Sequence, residues 1–405
     1  TDLYMFFNSK KGEYTFFKIN AKTLKIDRIE GKLPSKAQVY EIHVLDNIVF
    51  FDAVIKKSPM LFTLDIRSKE QGLVPIDLSG YDSKKLSIED VQVVDESKEV
   101  LVYINAYSKK VHNMYVIKFD HSGNKKSTFN ITKGHEMKLS SISASYIGKG
   151  AYIYTGTYSP KSSSSSVGVY LCKTVGDNVS FFKFYKFLDF DNFLSYLPEK
   201  KKAKIEKKKK KKAAKGKELK LSYLMASHDI EVVDGKFLYI GEAHYATYRT
   251  ETYTTRGANG TTTTSTRRVF DGYRYTHATL AGFDEKGEKL WDSTFEMWPG
   301  YKPFYHKKFI TTSIVNDRKI NLLFSSRNEI NAISFHTNGQ VNNENSYSLI
   351  ETENETDKVK SSYSNMEFWY DKYFIAHGSQ KIKDKEKTGG KKKRRVYFIN
   401  KISYL

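Results

Sequence analysis

The feature that most constrains the fold is a pattern of short, alternating apolar segments that recurs in groups of four. In the group at 226–297, the turn pair Asp234-Gly235 precedes KFLYIGE, and YRYTHATLAGF and KLWDSTFEM follow. An Asp-Gly pair between alternating segments favours a tight hairpin. Groups with the same order recur at 41–78, 88–132, 140–187 and 309–350. Each group predicts a four-stranded antiparallel sheet made of consecutive strands.

Both ends of the chain carry shorter groups, at 3–29 and 366–405, with about three segments each. The repeat resembles that of β-propellers, whose four-stranded blades leave only short, protected sheet edges. The resemblance covers nearly the whole chain. It implies an all-β fold, with residues 1–405 forming one propeller of about seven blades and six as the alternative count. A pair of β-sandwiches is the other architecture, but the regular hairpin order favours the propeller.

Two stretches of one group resemble a narrower set of proteins. VVDGKFLYIGEAHY (232–245) and FDGYRYTHATLAGFDEKGEKLW (270–291) are similar to exported, uncharacterised propeller-like proteins of bacteria that use type 9 secretion. The resemblance implies a periplasmic or cell-envelope location and a role as a component or plug of an outer-membrane secretion translocon. The chain begins with Thr1 and no signal-like segment, from which we expect a processed, exported protein.

The net charge of +21 is concentrated in two short segments. Residues 199–220, EKKKAKIEKKKKKKAAKGKELK, hold 13 lysines and 3 glutamates, a net +10. Residues 381–395 hold 9 basic and 2 acidic residues, a net +7, so the remaining chain carries only about +4. Two concentrated patches on a nearly neutral body indicate a defined contact or two solvated loops, rather than a general affinity for polyanions.

The unusual segments all join the same pairs of strands. In a four-stranded blade, the turns between strands 2 and 3 and the links from one blade to the next open on one face. The segments 159–167, 248–270 and 381–395 fall between strands 2 and 3, and 188–225 links two blades. We therefore predict an insertion-rich working face, with a protruding hairpin at 248–270 and a basic loop at 381–395.

The lysine run itself predicts a solvated, disordered loop, because lysines stacked at i and i+4 repel each other. Before it, residues 189–197 show helical spacing that Pro198 interrupts. The predicted partner-binding residues are the basic side chains of the insertions: Lys207, Lys208, Lys209, Lys210, Lys211, Lys212, Arg267, Arg268, Lys391, Lys392, Lys393, Arg394 and Arg395.

No catalytic, phosphate-binding or metalloprotease motif occurs in the chain, and we predict no cofactor. The single cysteine, Cys172, lies in a strand-like run and is expected to be buried and inert. Glu242, His244 and His277 could form an open Zn²⁺ site if His277 lay opposite the other two. Histidines in sheets more often satisfy hydrogen bonds with backbone or carboxylate neighbours.

These observations predict a non-enzymatic propeller that binds a protein partner, acidic or membrane-embedded, and that has no transmembrane segment of its own. One alternative is a propeller enzyme, or a protein that binds a small ligand or glycan in its central channel. Another is polyanion binding, but the lysine run lacks the arginine forks and aromatic platforms that nucleic acid favours. A membrane surface is a further alternative, and no amphipathic helix or lipidated cysteine supports it.

Overall fold

The computed structural model describes residues 2–9, 11–20, 22–108, 111–160, 163–315, 319–327, 329–349, 356–370, 372–384 and 393–404, with the backbone alone for 343–349. The chain divides into two compact units. The first contains Thr1–Ser164 and Leu171–Phe182, and the second contains Ser165–Tyr170 and Lys183–Leu405. The predicted single domain spanning 1–405 remains a prediction.

The first three sheets lie in the first unit, and each is a meander of consecutive antiparallel strands. The first sheet has three strands, β1 (Asp2–Asn8), β2 (Glu13–Asn20) and β3 (Ile26–Lys32). The second has β4 (Ala37–Leu45), β5 (Ile48–Ile55), β6 (Ser58–Asp65) and β7 (Gln71–Pro75). The third has β8 (Leu86–Val94), β9 (Glu99–Ser108), β10 (Val111–Asp120) and β11 (Lys125–Asn130).

The fourth sheet has a first strand broken into two pieces, β12 and β13, which both pair with the same neighbour. Its strands are β12 (Met137–Leu139), β13 (Ser143–Tyr146), β14 (Ala151–Pro160), β15 (Gly168–Val175) and β16 (Asn178–Lys186). A short 3₁₀ turn at Phe187–Asp189 and then the helix α1 (Glu199–Ala213) follow it.

The last three sheets lie in the second unit. The fifth contains β17 (Leu224–Ser227), β18 (Glu231–Val233), β19 (Lys236–Arg256), β20 (Thr262–Phe283) and β21 (Lys289–Glu296), with β17 and β18 as two pieces of a first strand. The sixth contains β22 (Thr311–Val315), β23 (Lys319–Ser326), β24 (Glu329–His336) and β25 (Val341–Leu349). The seventh has three strands, β26 (Asp357–Tyr370), β27 (Tyr373–Asp384) and β28 (Lys393–Ser403).

Within each compact unit, the hydrophobic core lies in layers between neighbouring sheets, and the alternation of side chains along the strands builds these layers. In β5, Val49 and Phe51 pack in a layer with the first sheet, whereas Phe50 packs in a layer with the third. In β23, Leu322 packs towards the fifth sheet and Leu323 towards the seventh. Successive side chains of a strand point to opposite faces, so a strand with an apolar run is buried on both sides.

The seven meander sheets confirm the prediction of an all-β chain with propeller-type blades. The predicted hairpin at Asp234-Gly235 also forms, and both residues have positive φ angles, 50° and 68°, as a tight hairpin turn requires. Cys172 is buried, and burial raises the pKa of its thiol well above the ordinary value. No helix in the described part of the chain is long and apolar enough to cross a membrane.

The inter-sheet layers should dominate stability. Phe374 is fully buried between the sixth and seventh sheets. Phe374→Ala should lower the free energy of unfolding by about 3–5 kcal/mol, because it removes buried apolar surface and leaves a cavity. The exposed Phe304, with 68% of its surface accessible, provides the control. Phe304→Ala should change stability by less than about 0.5 kcal/mol. Urea unfolding followed by circular dichroism compares the two variants, and equal losses would contradict the layered core.

Candidate binding surface and polar cluster

The segment 188–225, called the insertion below, is held at its two ends by a packed base that contains Phe187, Phe193 and Tyr223. Phe187 and Phe193 are fully buried and stack with ring centroids 4.5 Å apart. Tyr223, at the far end of the same segment, meets Phe193 edge-on at 5.0 Å and exchanges two backbone hydrogen bonds with Ser166. The two ends of the insertion are therefore held against one another, and the base is part of the folded protein.

A buried carboxylate fixes the same base to the fifth sheet. Asp292 on β21 accepts hydrogen bonds from the backbone N–H groups of Asp191 (3.0 Å) and Asn192 (2.7 Å). Its charge is balanced by Lys289, whose Nζ lies 2.7 Å away. Lys186 and Glu218 form an ion pair at 2.6 Å between the two ends of the insertion. These contacts leave little freedom at the base of the segment.

The lysine run forms the helix α1, so the predicted disordered loop is wrong. Local signals outweigh the lysine repulsion. The carbonyl of Pro198 accepts from Lys201 (2.8 Å), and Glu199 lies in the first turn, where the helix dipole favours an acid. At the other end Gly216 has a φ of 63°, and Lys217 N–H bonds to Lys212 O at 2.9 Å. These features form a Schellman motif, which ends the helix. The positive lysines of the last turn interact favourably with the negative end of the helix dipole.

The helical spacing of 189–197 does not produce an α-helix. The chain there forms the 3₁₀ turn and further turns, and the α-helix begins only after Pro198. Proline lacks an N–H and therefore fits the beginning of a helix better than its interior.

The predicted partner-binding lysines lie on the exposed surface of α1. No residue of this helix is buried, and Lys207, Lys208, Lys209, Lys210, Lys211 and Lys212 are all exposed. The helix contains ten lysines and two glutamates, a net charge of +8. Lys202 and Glu199 form the one ion pair recorded within it, at 2.8 Å. The helix therefore carries a dense and largely uncompensated positive charge.

The segment 248–270 extends β19 and β20 beyond the fifth sheet as a two-stranded ribbon. Cross-strand pairs such as Thr254 with Thr264 continue to the turn at Gly257–Gly260, and nearly all side chains are exposed. The two predicted arginines make contacts inside this arm. Arg267 pairs with Glu251 at 2.8 Å and thereby lowers the pKa of that carboxyl, and Arg268 lies over the Tyr248 ring at 4.2 Å.

The basic residues of the seventh sheet divide into three cases. Lys393 and Arg395 are exposed at the start of β28. Arg394 is bound within the protein by Asp357, at 2.7 Å, and this carboxylate is almost fully buried. Lys391 and Lys392 lie outside the described residues. Arg394 and Arg267 are thus engaged in intramolecular ion pairs, which sequence reasoning did not foresee because their acids are distant along the chain.

The polar cluster of the fifth sheet centres on Glu242, which is fully buried. Its carboxylate accepts hydrogen bonds from the backbone N–H of Phe309 (2.9 Å) and Ile310 (2.9 Å) and contacts His228 Nε2 at 2.8 Å. The carboxylate therefore holds the chain that leads into β22 against the fifth sheet. Three donors satisfy a buried charge that would otherwise be strongly destabilising.

The expected Zn²⁺ trio of Glu242, His244 and His277 does not form. In the register of β19 and β20, His277 lies opposite Ala243, so its side chain projects from the other face of the sheet. It stacks on Tyr196 of the insertion at 4.1 Å, while Glu242 faces the sixth sheet. Across the described residues, no group of three or more His, Cys, Asp or Glu side chains is placed to hold a metal ion.

Both histidines are fully buried, and burial lowers their pKa values. Burial lowers the pKa of His244 to about 4; its Nε2 lies 2.8 Å from His306 Nδ1, and its ring stacks on Tyr275 at 4.6 Å. Burial lowers the pKa of His277 to about 3. Its Nδ1 contacts Thr276 Oγ1 at 3.0 Å, and its Nε2 has no hydrogen-bond partner among the described residues. Both rings are therefore neutral at physiological pH.

Comparison with known proteins gives similarity of structure only. No protein-family model matches the chain, and no curated protein matches its sequence. The polysaccharide lyase Uly1 is similar at 9% identity and a TM-score of 0.45, over 99% of this chain and 88% of that one. The β-propeller domain of the Trilobed protease from Pyrococcus furiosus has 9% identity and a TM-score of 0.41, over 97% and 92%.

A third similar structure, the Dos1 propeller, has 11% identity and a TM-score of 0.37, over 94% of this chain and 83% of that one. At these identities the similarity concerns the fold, and no functional residue is carried over. The fold and the surface together define an all-β, propeller-type protein with charged insertions.

The base and the helix of the insertion should differ sharply in their effect on stability. Replacing residues 199–216 with a flexible Gly/Ser linker should leave the thermal midpoint within about 2 °C, because α1 has no buried residue. Phe193→Ala should lower stability by about 3–5 kcal/mol, because it empties a buried aromatic position. Differential scanning calorimetry measures both. Unfolding of the linker variant near room temperature would show that α1 is structural.

His277 should make the fold sensitive to acid. The unfolded imidazole takes up a proton below pH about 6.5. The folded one does so only near pH 3, so stability falls as the pH drops below 6.5. At pH 5 the loss from this residue is about 2 kcal/mol. His277→Phe should therefore reduce the slope of stability against pH between 7 and 5, measured by urea unfolding, while His244 keeps its own contribution. The exposed control His336→Phe should leave the slope unchanged, and an equal effect of both variants would rule out this role.

Proposed function

We propose that the protein is a non-enzymatic binding module that engages an acidic protein surface through helix α1. The observation that carries the proposal is a helix of net charge +8 with every side chain outside the core, mounted on a packed base. An isolated segment with this many lysines would be a poor helix because of self-repulsion. An acidic partner would remove that repulsion and would meet a positive surface that is already in place.

The chemistry of α1 favours a protein over the other polyanions. Its basic groups are all lysines, and its apolar residues are two alanines and one isoleucine. Lipid surfaces favour a broad apolar face beside the charges, and single-stranded nucleic acid favours aromatic platforms and arginine. Lysine clusters act mainly by long-range attraction, which accelerates encounter and selects partners of opposite charge.

The other insertions also present exposed polar and basic side chains. The exposed ribbon 248–270 offers hydroxyl groups and both edges of a two-stranded sheet, and Lys393 and Arg395 add charge at β28. We propose that the protein works in the cell envelope, as a subunit of an outer-membrane secretion translocon. The resemblance of 232–245 and 270–291 to exported propeller-like proteins supports this setting.

The proposal predicts a partner whose capture depends on the helix. A photo-crosslinking residue at position 209, introduced in the source organism, should capture a protein with an acidic surface, and the same residue at the exposed position 69 should not. Mass spectrometry identifies the captured protein. Binding of the purified pair is then measured by interferometry at 50, 150 and 400 mM NaCl.

Changing the six lysines of 207–212 to glutamine should weaken this binding at least tenfold at 150 mM NaCl and flatten its salt dependence, because screening acts on these charges. The matched control changes six exposed lysines of the first unit to glutamine, and it should bind as the wild type does. These are Lys32, Lys69, Lys84, Lys85, Lys125 and Lys149. Equal affinity of the two variants would refute the role of α1. If the wild-type protein is retained on DNA or anionic vesicles and the crosslinker captures no protein, the ligand of α1 is one of those polyanions instead.

A further inference from the structure

A cavity of about 450 Å³ lies where the first strands of the fifth, sixth and seventh sheets come together. His228 and Glu231 line it at the interruption between β17 and β18, Thr311 and Thr312 line it from β22, and Phe368 lines it from β26. The volume falls within the range of small-molecule sites. The cavity is distinct from helix α1, and the binding role proposed above does not use it.

The buried Glu242 fixes the proton arrangement of His228. Backbone N–H groups already bond to this carboxylate, which can only accept, so His228 Nε2 is the donor in the 2.8 Å contact. In the neutral ring, Nδ1 then carries the lone pair. In the part of the chain that the structure describes, no group of the protein bonds to this nitrogen. The ring, which lines the cavity, therefore has Nδ1 as its hydrogen-bond acceptor.

Glu231 supplies a second polar group. It is half-buried, and burial together with the neighbouring Asp229 raises the pKa of its carboxyl. Its carboxyl oxygens can accept hydrogen bonds from the hydroxyl groups of a ligand. The cavity thus has two polar side chains on one side, both from the interrupted first strand.

The other walls supply hydroxyl groups and an apolar surface. Thr311 and Thr312 are half-buried neighbours on β22 and therefore project to opposite faces of the strand. Thr312 pairs with Leu322, which faces the fifth sheet, and Thr311 pairs with Leu323, which faces the seventh. Each hydroxyl can donate and accept. Phe368 is 45% exposed and offers an aromatic ring edge or face. A sugar ring presents hydroxyl groups around its rim and C–H groups on its faces, so it matches polar groups on some walls and an aromatic ring on another.

We propose that this cavity binds a single neutral sugar unit, free or at the end of a glycan. His228 and Glu231 bond to its hydroxyl groups, Thr312 adds a further hydrogen bond, and Phe368 packs on its C–H face. The carboxyl groups of Glu231, Asp229 and Glu242 disfavour an anionic ligand at this position. The interruption of the first strand places His228 between β17 and β18, where its N–H still bonds to Ile240 O on β19 at 2.9 Å.

Saturation-transfer NMR tests the proposal with a defined panel of probes: the methyl glycosides of glucose, galactose, mannose, xylose and N-acetylglucosamine, with putrescine as a cationic probe. At least one glycoside should show transfer and a millimolar Kd. Thr312→Val and Phe368→Ala should each weaken that Kd at least fivefold. Phe304→Ala and the glutamine variant of α1 should leave it unchanged.

Circular dichroism first confirms that each variant is folded. If Thr312→Val does not fold, Phe368→Ala alone provides the test, because Phe368 is exposed. Three results overturn the proposal: no glycoside shows transfer, both cavity variants bind as the wild type does, or only putrescine binds. The last outcome would assign the cavity to an amine instead.

Discussion

Burial of both faces of each central strand is the interaction on which the rest of this structure depends. The β5 residues Val49, Phe50 and Phe51 are all fully buried, and they serve two different core layers. The β23 residues Leu322 and Leu323 divide in the same way. Because the second and sixth sheets each contribute to two layers, a change in one of their central strands affects both adjoining layers, whereas the turns and links outside the layers can vary. That division explains how the sheets keep their order while segments outside the layers carry a 15-residue helix and a long ribbon.

Much of the fold could be read from the sequence because it depends on local patterns. Alternation and turn pairs such as Asp234-Gly235 identify strands and hairpins without knowledge of distant residues. The disorder predicted for the lysine run is wrong because the helix signals at its ends outweigh the repulsion between lysines. Pro198, Glu199 and Gly216 were all visible in the sequence, and together they specify where a helix starts and stops.

The polar groups were less accessible to sequence reasoning because their partners come from distant segments. Glu242 is satisfied by the N–H groups of residues 309 and 310, and Arg394 by Asp357. His277 was grouped with Glu242 and His244, but the register of β19 and β20 sends it to the opposite face. A shift of one residue decides the side of a sheet on which a group lies, and no composition rule supplies that shift. His228, which completes the carboxylate cluster, is 14 residues from Glu242 in the sequence, and no motif links the two.

The closed base of the lysine insertion has a consequence for how the molecule withstands damage. Helix α1 is an exposed run of lysines, the preferred cleavage position of trypsin-like proteases, and exposed segments are the usual places of proteolytic cutting. A cut there would leave two new ends. Phe187 and Phe193 hold one of them, and Tyr223 with its bonds to Ser166 holds the other. A nicked molecule would therefore keep both fragments attached to the same packed base, and the charge of the helix could be trimmed or lost while that base stays folded.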